Sequence, residues 1–219
     1  VLTLRRMIAG IAFSAAATVV AAGVTAGAVS LAAAPALAAQ KDVTLPAGYP
    51  ERVLGKADAP VTIYEYSSLT CPHCAAFHKE TLPKIKEAYI DTGKVKLVMR
   101  DFPLDQVALG GALMARCAPE PMYFRLLEVL FANQQTWARA NNPLDGMKQY
   151  GRLSGMSDDT LNACFKNEAL FKQIQDVQAA AQQTFQIQST PSFVIDGQLY
   201  AGSRDFAAFS KIIDGLLPK

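Results

Sequence analysis

The chain has 219 residues, 51% of them hydrophobic, which is enough apolar material for one sizeable core. Its 21 basic and 19 acidic residues give a formal charge of +2, and Arg5 and Arg6 are the only charged groups in residues 1–39, so the rest of the chain is formally neutral. Neutrality leaves no basic stripe for counterion-driven nucleic-acid binding, and 4 cysteines in so long a chain are too few for a disulfide scaffold.

Residues 1–39 read as a secretory signal. A basic start is followed by an apolar run that closes on Ala36-Leu37-Ala38, a small-x-small pattern suited to signal peptidase. The competing reading is an uncleaved membrane anchor, since the run exceeds the roughly 20 residues that span a bilayer. The pair Arg5-Arg6 also hints at twin-arginine export. Either route puts the remaining chain outside the cytoplasm, periplasmic or secreted, where cysteines can pair.

Residues 40–60 carry proline and glycine turn signals and read as an extended lead-in. Val61-Thr62-Ile63-Tyr64-Glu65-Tyr66-Ser67 is β-rich. After Cys71-Pro72-His73-Cys74 a helical pattern takes over, with Phe77, Leu82, Ile85 and Tyr89 spaced for one face. Pro83 is expected to kink it and Asp91-Thr92-Gly93 to end it. Residues 95–99 form a second strand. Strand, helix and strand make a βαβ unit with parallel strands and a right-handed crossover.

From 105 to 186 strand signals vanish. Helices are predicted over 109–117, 123–131, 143–153, 158–165 and 168–185, with Ser157 as an N-cap. Strand character returns at 192–195, Asp196-Gly197 marks a tight turn, 198–201 is the returning strand, and a last helix covers 205–217. The expected fold is therefore α/β, βαβ…ββα, interrupted by an all-helical insertion. Its parts are 61–104 and 187–219, with the insertion at 105–186 between them.

The chemistry concentrates at Cys71 and Cys74. A two-residue gap brings two sulfurs within bonding range when the first lies at a helix start. Pro72 suits the first helical position, where a missing N–H costs nothing. Cys71 then sits at the positive end of the helix dipole, and a protonated His73 would add charge beside it. A stabilised thiolate means a stabilised reduced form, hence an oxidising disulfide. Other readings compete. A structural disulfide across so short a loop gains little entropy. Zinc needs about four ligands, and His73 and His78 are the only histidines. Haem attachment needs His at position 75, which is Ala. No metal and no cofactor beyond the Cys71–Cys74 pair is expected.

The runs Glu65-Tyr66-Ser67-Ser68, Cys71-Pro72-His73-Cys74 and Thr190-Pro191 resemble the DsbA family of thioredoxin-fold enzymes, over about 59–217. The resemblance implies a thioredoxin fold with a helical insertion and an activity that introduces disulfides into exported proteins. It implies that Thr190-Pro191 is a cis-proline loop packed on the cysteine pair, with the Thr190 backbone pairing with substrate. It places Glu65 as a buried acid that shuttles the proton of Cys74, against the alternative of a solvated strand residue. It suggests a structural disulfide between Cys117 and Cys164, against the alternative of two buried free thiols. A reduced exported protein is the implied partner and a DsbB-type membrane protein the implied reoxidant. The lead-in leaves no room for the dimerisation domain of related isomerases, so a monomer is expected. An isomerase or reductase of the same fold, and a non-catalytic peptide-binding chaperone, are the rival readings. His78 reads as a surface polar residue and Trp137 as packing.

Overall fold

A computed structural model describes residues 42–218. The expected signal segment, 1–39, lies outside the described residues. Five strands form one sheet: β1 (Val53–Leu54), β2 (Val61–Ser67), β3 (Val95–Asp101), β4 (Ser192–Ile195) and β5 (Gln198–Ala201), in the order β1-β3-β2-β4-β5. β2 is central. It runs parallel to β3, with Glu65 opposite Met99, and antiparallel to β4, with Glu65 opposite Phe193. A strand covered on both faces tolerates apolar residues at successive positions, and β4, Ser-Phe-Val-Ile, is buried throughout. β5 returns through Asp196 (φ 49°) and Gly197 (φ 78°). Two consecutive positive φ values define the tight turn that an Asp-Gly pair favours.

Helix α1 spans 72–90. It consists of the α-helical Pro72–Ala76, a π-helical turn Phe77–Thr81, the α-helical Leu82–Ile85 and a second π-helical turn Lys86–Ile90. Pro83 is accommodated within it. The proline falls at the start of the third segment, directly after a wide turn closed by the Leu82 N–H on the Phe77 carbonyl, so its missing donor is absorbed there. Gly93 (φ 78°) then allows the chain to reverse into β3.

The segment from 106 to 185 is helical: α2 (Gln106–Cys117), α3 (Tyr123–Ala132), α4 (Gln134–Ala138), α5 (Pro143–Leu153), α6 (Asp158–Phe165) and α7 (Glu168–Phe185). Side chains at Asp105, Asn142, Ser157 and Asn167 accept backbone N–H bonds at four of their starts. α2 starts three residues before its predicted position because Asp105 caps it. The short α4 escaped the sequence reading, since Gln134, Gln135 and Thr136 carry no apolar period. α8 (Phe206–Leu216) closes the chain.

The sheet has a core on each face. On one side Ile63, Leu97, Phe193 and Ile195 pack with Phe77 and Ile85 of α1 and Phe209 and Ile213 of α8. On the other, Tyr66 and Val194 pack with Leu109 and Leu113 of α2 and Ile174 and Val177 of α7. A third cluster joins Cys71 and Cys74 to Met99 and to Leu130, Phe131, Trp137 and Met147 of the helical segment. Trp137 packs as expected, 1% exposed, with its indole N–H on the Leu130 carbonyl at 2.7 Å. Each such fully buried large side chain contributes about 1.5–3 kcal/mol.

The lead-in is tied down more firmly than its composition suggests. Arg100 of β3 is fully buried and pairs with Asp42 and Glu51. Arg116 of α2 pairs with Asp101 and donates to the Pro50 and Met99 carbonyls, while Tyr49 donates to Asp101 at 2.9 Å. A buried guanidinium requires paired oxygens on several sides, and the lead-in supplies part of them. β1 adds two residues antiparallel to β3.

Candidate active site

Cys71 occupies the N-cap of α1, with φ −79° and ψ 119°, and Pro72 takes the first helical turn. The chain turns into that cap through the Cys71 N–H on the Ser68 carbonyl, and the helix begins with the Ala75 N–H on the Cys71 carbonyl. Pro72 and His73 are exposed, whereas Cys71 and Cys74 are 5% and 0% exposed. Both cysteines are free thiols here.

The two thiols are driven apart in acidity. Cys71 is lowered to about 5, chiefly by a hydrogen bond from the Cys74 thiol; burial opposes this, and the Thr190 side chain and the N–H groups of Cys74 and His73 add to it. The Thr190 hydroxyl is buried and has no hydrogen-bond partner among the described residues. In the thiol form Cys71 donates to the Thr190 carbonyl at 3.3 Å. That bond holds the proton, but the thiolate-stabilising contacts outweigh it. Cys74 moves far upward, first because burial disfavours its charge and then because it serves as the donor to Cys71; the Ser67 hydroxyl and the Ser68 N–H offset only part of this.

Thr190–Pro191 is a cis peptide bond, and the loop it forms lies directly against Cys71 through the Thr190 carbonyl. β4 follows at once, which fixes the loop to the central strand. Cys117 and Cys164 are joined in a disulfide with Cα atoms 6.1 Å apart, linking the end of α2 to α6.

Glu65 is fully buried on β2. Its Oε1 shares a 2.9 Å hydrogen bond with Nε2 of His78, and its Oε2 has no partner among the described residues. His78 is therefore not a surface polar residue: it is 7% exposed, one helical turn beyond Cys74, and stacked on Phe131 with ring centroids 4.1 Å apart. Phe131, which stacks on it, comes from the helical segment, a contact that local sequence does not reveal. A His four residues after the second cysteine shares its helical face, and that spacing was the available signal.

Two further residues were missed. Gln134 of α4 is buried and donates from Nε2 to the carbonyls of Leu69 (2.7 Å) and Cys71 (2.9 Å), clamping the cysteine loop. Asp105 caps α2 and also accepts from Thr70 at 2.7 Å, joining the loops after β2 and β3.

A family model described as thioredoxin matches residues 49–215. A putative protein-disulfide oxidoreductase of Rickettsia conorii is 31% identical over 184 residues, 84% of this chain and 66% of that protein. Disulfide bond formation protein D of Bacillus subtilis is 27% identical over 173 residues, 74% of this chain and 75% of that protein. The chain spans two thirds or less of the length of the curated Rickettsia relatives it matches. The crystal structure of Wolbachia pipientis alpha-DsbA1 superposes with a TM-score of 0.72 at 32% identity, covering 78% of this chain and 92% of that one. A family match over most of the sequence, together with a likeness to a DsbA over nearly all of that protein, gives the assignment: the chain belongs to the thioredoxin family, in its DsbA branch with a helical insertion.

Proposed function

We propose that the protein oxidises thiol pairs in exported polypeptides, using the Cys71–Cys74 disulfide and no other cofactor. The observation that carries the reading is the opposite displacement of the two thiols, with Cys71 lowered to about 5 and Cys74 raised. A low-pKa Cys71 is a good leaving group and a stable product, so the disulfide form is the reactive one. The names of the similar proteins from Rickettsia and Bacillus support the same chemistry.

A substrate thiolate attacks Cys71 and forms a mixed disulfide, and Cys74 leaves with the electron pair. Burial makes the Cys74 thiolate costly, so it takes a proton, which we assign to Glu65. A second substrate thiolate attacks the substrate sulfur of the mixed disulfide and releases Cys71 as a thiolate. The Thr190 backbone, beside Cys71, aligns an extended substrate segment, and Pro191 fixes the loop. Pro72 and His73 present the exposed edge of the site, and the Cys117–Cys164 disulfide is structural.

The protein works as a monomer outside the cytoplasm, and a DsbB-type membrane protein reoxidises it. Among the described residues no helix is long and apolar enough to cross a membrane. The test is a paired assay of oxidation of a reduced, unfolded protein and rescue of scrambled ribonuclease. Fast oxidation abolished by Cys71→Ser supports the oxidase. Efficient rescue with poor oxidation gives the isomerase, and activity unchanged in Cys71→Ser gives the binding chaperone.

A further inference from the structure

Among the described residues, His78 is a buried titratable side chain that both contacts Glu65 and reaches a cavity. A groove of about 640 Å³ lies between α1 and the segment around α3, and His78 forms part of its wall. Nε2 of the same imidazole shares a hydrogen bond with Glu65 Oε1 at 2.9 Å. Glu65 itself has no exposed surface. The imidazole thus bridges a sealed carboxyl and an open groove. Its plane is fixed by stacking on Phe131 and by the edge of Phe77, ring centroids 4.1 and 5.6 Å away.

Cys74 and His78 lie one turn apart on α1, and Glu65 stands in register with Met99, which packs in the cluster that holds Cys74. The free Oε2 is an unsatisfied buried acceptor, a feature that asks for a reason. The ionisable groups around the pair are Glu65 and Tyr123 on its inner side and Lys86, Glu120, Arg125 and Glu128 along the groove. The groove charges carry both signs.

We propose that His78 is a positioning residue of the redox site, conducting protons between Glu65 and the solvent of the groove. The proposal rests on the disulfide-exchange reading. When a thiolate attacks Cys71, the Cys71–Cys74 bond breaks, a bond forms between Cys71 and the attacking sulfur, and Cys74 takes the electron pair. Glu65 gives Cys74 its proton and becomes a carboxylate. His78 passes a proton from groove water to Glu65. When a second thiolate attacks the sulfur bound to Cys71, the outside disulfide forms and Cys71 leaves as a thiolate. Two external thiolates and one proton are consumed, the protein disulfide is reduced and the outside sulfurs are oxidised.

The experiment uses the disulfide form of the full chain, mixed with excess reduced glutathione in a stopped-flow instrument. The sole tryptophan, Trp137, packs in the cluster with both cysteines and reports their redox state. His78→Gln keeps a donor for Glu65 but cannot carry a proton. It is expected to slow reduction about tenfold, less than the loss of a directly acting acid because water partly substitutes, and to flatten the rate against pH. His78→Ala is expected to recover several-fold when imidazole is added, in proportion to its concentration. A purely packing role moves neither readout. A His78→Gln profile that superimposes on the parent, or a folded His78→Ala that imidazole leaves unchanged, overturns the proposal; if His78→Ala does not fold, the His78→Gln profile decides. A parent protein that fails to exchange with glutathione at all refutes the disulfide-exchange reading instead.

Discussion

At the scale of single residues, acidity separates the two cysteines, and its consequences have a definite sign. In the reduced folded chain Cys71 ionises at about 5, below the ordinary thiol range of about 8.5. The unfolded chain therefore holds a proton that the folded chain has lost throughout that interval. Stability of the reduced protein must rise with pH between about 5 and about 8.5, and the contribution is lost as pH falls through 5. Urea melts of the reduced protein across this range are expected to show the rise, and the oxidised protein, which has no Cys71 proton, to lack it. Thiolate absorbance should give one titration near 5, with Cys74 silent. A single step in the ordinary cysteine range would remove the activated-thiolate account. His73→Ser should make the disulfide less oxidising, read as a shift of the glutathione equilibrium toward the oxidised protein.

At the scale of elements, the insertion does more than cover the sheet. Gln134 reaches from α4 to two carbonyls of the cysteine loop. Gln134→Leu leaves both without that donor and is expected to cost about 1–3 kcal/mol, read by urea denaturation. The loop should also exchange amide hydrogens faster at Leu69 to Cys71; an unchanged melt would show that the clamp is replaceable. This contact also marks the limit of what the sequence disclosed. The strands and most helices could be read because β-branched runs, apolar spacing, caps and the Asp196-Gly197 turn are local signals. The cysteine pair at a helix start could be read for the same reason. Gln134, Asp105 and the burial of His78 could not, because each depends on a partner brought near only by the fold: α4 on the cysteine loop, Thr70 opposite Asp105, Phe131 over the imidazole. β1 was missed because two residues carry no period.

At the scale of the whole molecule, two kinds of long-range tie hold the frame that positions the site. The Cys117–Cys164 disulfide closes a segment of 47 residues. On the loop-entropy account its removal by the double change Cys117→Ala and Cys164→Ala is expected to cost about 4 kcal/mol. Thermal melts of the oxidised proteins check this, and a Tm within experimental scatter of the parent would contradict it. The second tie is ionic. Arg100 and Arg116, both buried, reach the lead-in at Asp42, Glu51 and Pro50. Arg116→Met strands Asp101 as an uncompensated buried carboxylate and is expected to destabilise by about 3–5 kcal/mol, measured by urea denaturation.

On the proposed reading, the opposite displacements of Cys71 and Cys74 make the disulfide the high-energy form. The equilibrium constant of the full protein with reduced and oxidised glutathione at pH 7 measures that difference directly. The account predicts a protein that is reduced even when oxidised glutathione predominates, and that becomes less oxidising when His73 is replaced. A protein that stays oxidised in a strongly reducing glutathione buffer would contradict it and identify the site as a reductant.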